Sequence, residues 1–297
     1  MTRKSLLVFI ALSLMVLVGS NQLAQAQSSL TAQEVVDKNV AARGGLQAWR
    51  AVQTMSLSGK MPAGGNRRST LAIPTPDQGK GKMATPPRPT DEVELPFVME
   101  LKRPNKVRIE IEFKGQTAVQ VYDGKNGWKL RPFLGRNEVE PYTAEEAKAA
   151  GTQTDLDGLL IDYAAKGSKV ESEGTEKVEG RDCYKLKVTL KNGNVLHVWV
   201  DAKTFLDAKA EGQPRMLDGA YHPVEVYYRD YRAVNGLQIP FLLETRVLPV
   251  RTPQGHSSAP VPAEKTTIEK VEINPKLDDA LFTRASLEAS AKATPKK

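Results

Sequence analysis

The chain has 297 residues, 40% hydrophobic and 26% charged, with a formal net charge of +7 and a single cysteine, Cys183. One cysteine excludes an intramolecular disulfide, so the fold must rest on its core, and a thiol within a strand-like run is expected to be packed rather than reactive. The charge does not describe a nucleic-acid groove: Arg3 and Lys4 supply +2 of it, and residues 60–90 supply the other +5 through Lys60, Arg67, Arg68, Lys80, Lys82 and Arg88 against Asp77, in a segment too rich in Pro and Gly to form a regular face.

In chain order, Arg3 and Lys4 precede an apolar run over 6–18, which leads to Ala24-Gln25-Ala26, a small-x-small cleavage site. Thirteen residues at ~1.5 Å each fall well short of the ~30 Å hydrocarbon core, so residues 1–26 read as a cleaved signal peptide rather than an anchor. No cysteine near the cut can be acylated, so export to the periplasm without a lipid anchor or membrane span is expected.

Val35, Val36, Val40 and Ala41 then recur at helical spacing behind Thr31 and Glu34, a capping box, with Gly44-Gly45 as the stop, predicting a helix over 31–43. Trp49 and Val52 lead into a strand over 55–59. Six prolines and four glycines over 61–92 predict a long loop, as do Pro249, Pro253, Gly255, Pro260 and Pro262 over 249–263. Between the loops the period is two: Val107, Ile109, Ile111 and Phe113 alternate with Arg108, Glu110, Glu112 and Lys114. The same pattern recurs in Tyr184, Leu186, Val188 and Leu190, and again in Leu237, Ile239, Phe241 and Leu243. Asp123-Gly124, Asn126-Gly127, Asn192-Gly193 and Asn235-Gly236 are hairpin turns, so the strands form an antiparallel meander. A second helical stretch over 143–166 starts at Thr143 and carries Leu156, Leu159, Leu160 and Tyr163. A single domain over 27–285 follows, with a disordered Ala-, Ser- and Lys-rich tail over 286–297.

His197, His222 and His256 lack partners at metal-ligand spacing, and neither a nucleophile elbow nor a phosphate-binding loop is present, so no catalysis, metal or cofactor is expected. An apolar cavity needs none of these to bind a lipid, since burying an acyl chain contributes ~0.8 kcal/mol per CH₂. The candidate lining is Val107, Ile109, Ile111, Phe113, Val119 and Val121, with Trp128, Leu186 and Val188.

The run Phe97 to Asn105, containing Lys102-Arg103-Pro104-Asn105, then a one-sided strand, then Val121-Tyr122-Asp123-Gly124-Lys125-Asn126-Gly127-Trp128, resembles the periplasmic outer-membrane lipoprotein carriers of the LolA type. The resemblance implies a mainly β fold with helices: an unclosed antiparallel β-barrel of about 11 strands under a helical lid. It implies a monomer with acyl-lipid or lipoprotein cargo, and membrane-associated donor or acceptor proteins as further partners. Arg103 occupies the position of the arginine that bonds lid backbone and holds the empty cavity shut. The basic loop, the second loop and the tail depart from the family pattern. The alternative is a non-catalytic periplasmic sensor or scaffold that binds a partner protein with the same fold.

Overall fold

The computed structural model describes residues 30–64, 92–132, 136–153, 155–217, 220–251 and 261–293. The expected signal peptide and the centres of both predicted loops lie outside them.

Among the described residues thirteen strands form one antiparallel sheet. The first wing is β1 (Thr54–Gly64), β2 (Glu92–Lys102), β3 (Lys106–Phe113), β4 (Gln116–Tyr122), β5 (Gly127–Arg131) and β6 (Arg136–Pro141). The second is β7 (Lys169–Val178), β8 (Arg181–Thr189), β9 (Val195–Asp201), β10 (Asp207–Leu217), β11 (Ala220–Val234), β12 (Leu237–Val247) and β13 (Glu264–Ile273). The order is β6-β5-β4-β3-β2-β1-β13-β12-β11-β10-β9-β8-β7, so every neighbour is consecutive in sequence except β1 and β13. The sheet is unclosed, with β6 and β7 as its edges, and the expected strand number of about 11 becomes 13. Chain leaving one edge must reach the other, and residues 142–153 and 155–168 lie over one face between them.

That inner face is covered by α1 (Ala32–Ala42), α2 (Leu46–Ala51), α3 (Ala144–Gln153) and the turns of 155–167. The capping box of α1 forms as read: Glu34 N–H donates to Thr31 Oγ1 at 3.3 Å, and Thr31 N–H donates to Glu34 Oε2 at 2.7 Å. The helix stops at Gly44 (φ +112) and Gly45 (φ +91), and a Cβ on Gly44 would stand 2.5 Å from the Gly236 carbonyl at the β11–β12 turn. The six residues of α2 are too few to show a periodic signal, which is why Trp49 reads as a lead into a strand. The predicted 143–166 stretch is helical only in α3, and turns replace helix beyond it.

Two boundaries are corrected. The loop expected over 61–92 is shorter, because β1 continues to Gly64 and pairs Met61 with Leu95 and Gly64 with Glu92. Pro62 is tolerated there because the β13 ladder ends at Lys60↔Thr267, leaving no partner on that side for the missing N–H. The tail expected to be disordered from 286 instead carries α4 (Arg284–Ala293), after a 3₁₀ turn at Asp279–Phe282. Fully buried Leu287 and Phe282 anchor it against Val119, Val121 and Leu130 on the outer face. Residues 294–297 lie outside the described residues.

The outer face of the second wing has its own layer, in which Cys183 packs with Val178, Trp199, Ala208 and Tyr227. Burial pushes the Cys183 thiol pKa up, so it is a packed, protonated core group.

Candidate binding site

Strand register decides which candidate residues share a face. Val107 opposes Tyr122, Ile109 opposes Gln120 and Ile111 opposes Ala118, so odd residues of β3 lie beside even residues of β4. Val107, Ile109 and Ile111 therefore sit on the inner face under the helices, in one cluster with Trp49, Ile161, Leu101 and Tyr122. Phe113 follows by alternation at the far end of β3, half-buried.

Val119 and Val121 point the other way and are corrected. Val121 opposes Arg108 and Trp128, and Val119 opposes Glu110 and Leu130, so Val119, Val121 and Trp128 form the outer-face core beneath α4. The two-residue turn Lys114-Gly115 causes the switch, since the strands join as Phe113↔Gln116 and the parity of inward residues reverses across it. That turn is readable in the sequence and fixes the register. Leu186 and Val188 do face inward, but both are 0% exposed beneath Val35 and Val36 of α1, where they are filled core rather than cavity wall.

Burial along the inner face is uneven. Val107 and Leu101, near the helices, and Phe97, Phe241 and Ile268, further along their strands, are buried, whereas Ile109, Ile111, Met99, Leu57, Met61 and Leu243 pack on the same cluster and are only half-buried. The result is one apolar face on which buried and half-buried side chains adjoin. Tyr142 lies flat over Gly127, where a Cβ would come within 2.0 Å of its ring, and burial pushes the Tyr142 pKa up to about 12. Two cavities among the described residues lie away from this surface. One of about 350 Å³, lined by charged residues together with Leu206, Tyr228 and Tyr231, sits at the β9–β10 turn; one of about 270 Å³ sits between α1, α2 and Tyr163.

The lid is pinned at the foot of β2. Arg103 Nε donates to the Val52 carbonyl at 2.8 Å, and Nη2 donates to the Trp49 carbonyl at 3.2 Å and to Asp157 Oδ2 at 2.6 Å. The carbonyls are C-terminal acceptors of α2, which a cation satisfies well. Asp157 is 1% exposed and also takes the Lys166 ammonium, while Arg43 Nη1 donates to its backbone carbonyl at 3.0 Å. Arg43 stacks on Trp49 at 4.6 Å and reaches Asp207 of β10 at 3.6 Å, so one residue of α1's end links lid and sheet. Arg50 of α2 forks onto Asp162 at 2.6 and 2.7 Å. Burial raises the pKa of Asp157, but Lys166, together with the hydrogen bond from Arg103, outweighs it and holds the carboxyl below its usual range.

Sequence reasoning places Arg103 without its acceptor and misses Asp157, Lys166 and Arg43. The Asp-x-Asp before Leu159-Leu160 is the available signal, two acids in an apolar stripe. His197 lies on the outer face with Glu211 at 2.9 Å, buried His222 contacts the Leu248 carbonyl at 3.0 Å, and His256 is outside the described residues.

No protein-family model and no curated protein matches the chain. Solved structures do. A LolA superfamily protein from Nitrosomonas europaea aligns with a TM-score of 0.50 at 13% identity, over 87% of this chain and 100% of its own. A DUF1329 family protein from Desulfovibrio piger aligns with a TM-score of 0.48 at 14% identity, over 86% of this chain and 98% of its own. The fold is LolA-like, an unclosed antiparallel sheet with helices on its inner face. No helix among the described residues is long and apolar enough to cross a membrane.

Proposed function

We propose that this protein is a periplasmic carrier that holds the acyl chains of a lipid or lipoprotein between the inner sheet face and the lid, on its way toward the outer membrane. The observation that carries the reading is the half-buried apolar surface of Leu57, Met61, Met99, Ile109, Ile111 and Leu243, continuous with the core under a lid whose hold on β2 centres on Arg103. Each methylene transferred from water to such a surface contributes ~0.8 kcal/mol, so about ten of them suffice for micromolar binding. On this reading Arg103 is the gate: it keeps the lid against β2 while the cavity is empty and releases it when cargo enters. Val107, Ile109, Ile111 and Phe113 are the part of the expected lining that this reading keeps.

Native mass spectrometry of residues 27–297, secreted with their own leader and purified gently, followed by lipid extraction, tests the proposal. Near-stoichiometric acyl lipid supports a carrier, and Ile109→Asp should abolish it. A clean apo mass together with indifference to a fluorescent fatty acid sinks the reading and favours a scaffold that binds a partner protein.

A further inference from the structure

The lid carries two carboxylates two positions apart that converge on one ammonium. Lys166 Nζ pairs with Asp155 Oδ2 at 2.6 Å and with Asp157 Oδ1, so one ammonium brings the two carboxyls side by side. Two carboxylates gathered on one ammonium press like charges together, and a proton on one of them relieves that repulsion. Asp157 also holds Arg103, the contact that fastens the lid to β2.

We infer that Asp155 makes the lid latch proton-sensitive: the lid grips the sheet more tightly when Asp155 is protonated and loosens as it ionises. This rests on reading residues 155–167 as a lid. The charged groups facing the pair come from every element packed there. Lys166 and Asp162 belong to the lid itself, Arg103 comes from the end of β2, Arg43 from the end of α1 and Arg50 from α2. Arg50 is committed to Asp162, and Arg43 is directed at the Asp157 carbonyl and Asp207. Arg103 and Lys166 both serve Asp157, whereas Asp155 has Lys166 alone, so Asp155 is the member that titrates.

Burial, aided by the neighbouring Asp157, pushes Asp155 from 3.8 up to about 6 despite Lys166. With the lid lifted, Asp155 returns to water and to its ordinary range. The closed state then binds the proton more tightly than the open one, so closure takes up a proton as pH falls. Its equilibrium strengthens about tenfold between about pH 7.5 and about pH 5.

Hydrogen exchange of the full mature chain, wild type against Asp155→Asn, tests this without lipid present, so the result does not depend on whether acyl chains bind. Comparing variant with wild type at each pH cancels the intrinsic pH dependence of exchange. The amide that this substitution introduces imitates the protonated carboxyl. The ratio of lid protection, variant over wild type, should therefore rise about tenfold from about pH 5 to about pH 7.5 in residues 46–53 and 155–167, and stay flat in β8 and β9. Asp155→Ser, which removes the carboxyl without supplying an amide, should likewise give a lid free of pH dependence, so its ratio to wild type should rise by the same factor. A ratio that is flat in the lid across this range for both variants overturns the proposal.

Discussion

The Arg103 guanidinium meets the Asp157 carboxylate at 2.6 Å, joining the foot of β2 to a lid residue 54 positions later in the chain. Asp157 is almost wholly withdrawn from water, so its charge depends on Arg103 and Lys166 for compensation. Arg103→Leu should lower stability by on the order of 3 kcal/mol in urea unfolding, because it leaves a buried carboxylate undercompensated. Adding Asp157→Asn should recover part of that loss. Strict additivity of the two changes would show that the pair is not coupled.

The two faces of the β3–β4 hairpin make opposite predictions. Val121 is 0% exposed beneath α4, so Val121→Asp should cost several kcal/mol and release that helix. Ile109→Asp, on the half-buried inner surface, should cost less and, under the proposed carrier function, act mainly on acyl-chain binding. Equal destabilisation by both substitutions, read from chemical denaturation, would contradict the face assignment.

Leu287 has no exposed surface and packs against the outer-face core that includes Val119, Val121 and Leu130. Leu287→Ala should cost about 2–4 kcal/mol, and ending the chain at 283 should cost at least as much while baring that face. Both are read as shifts of the urea midpoint, and an unchanged midpoint would mean α4 contributes nothing to the fold.

Glu179, in the β7–β8 turn, receives Arg229 at 2.8 Å through two nitrogens and Arg246 at 2.7 Å. The Arg229 hydrogen bonds, with help from Arg246 and against partial burial, lower its pKa from 4.5 to about 2. A depressed carboxylate contributes stability that is present above about pH 4.5 and lost as pH falls toward 2. Glu179→Gln should therefore destabilise by roughly 1 kcal/mol at neutral pH, a figure kept small because the site is partly exposed and screened. The difference from wild type should vanish near pH 2, and thermal unfolding at both ends of the window reads it.

Much of the sheet is legible in the sequence because alternation and hairpin dipeptides report directly on strands with one charged face. The Val107 to Phe113 run is the clearest case, and its inward face agrees with the pattern. Legibility fails where both faces are covered. In Ala118-Val119-Gln120-Val121-Tyr122 apolar residues point both ways, so pattern cannot say which set faces the helices, and only the turn register decides. Helix α4 escapes detection for a related reason: one large apolar residue, Leu287, in a run of small and polar ones resembles a solvated tail until the outer face it covers is known. The latch is half-legible. Arg103 stands in a recognisable motif, but its acceptor is a tertiary contact that no local spacing encodes.

The joint between β1 and β13 bears on how the chain reaches its native state. All other strand pairs are between consecutive strands, so each wing can zip from its own hairpins with small loop-closure cost. The joint instead pairs the first strand with the last, and beside it Gln53 N–H donates to Asn274 Oδ1 at 2.7 Å across 221 positions. Contacts of such separation form late and slowly. Two preformed meanders docking along β1 and β13 should therefore set the folding rate, and substitutions at that seam should slow folding only to the extent that the docked interface already exists in the transition state. As the chain is made, the β1 edge would wait exposed until β13 emerges, which makes it the stretch most in need of protection before the sheet is complete.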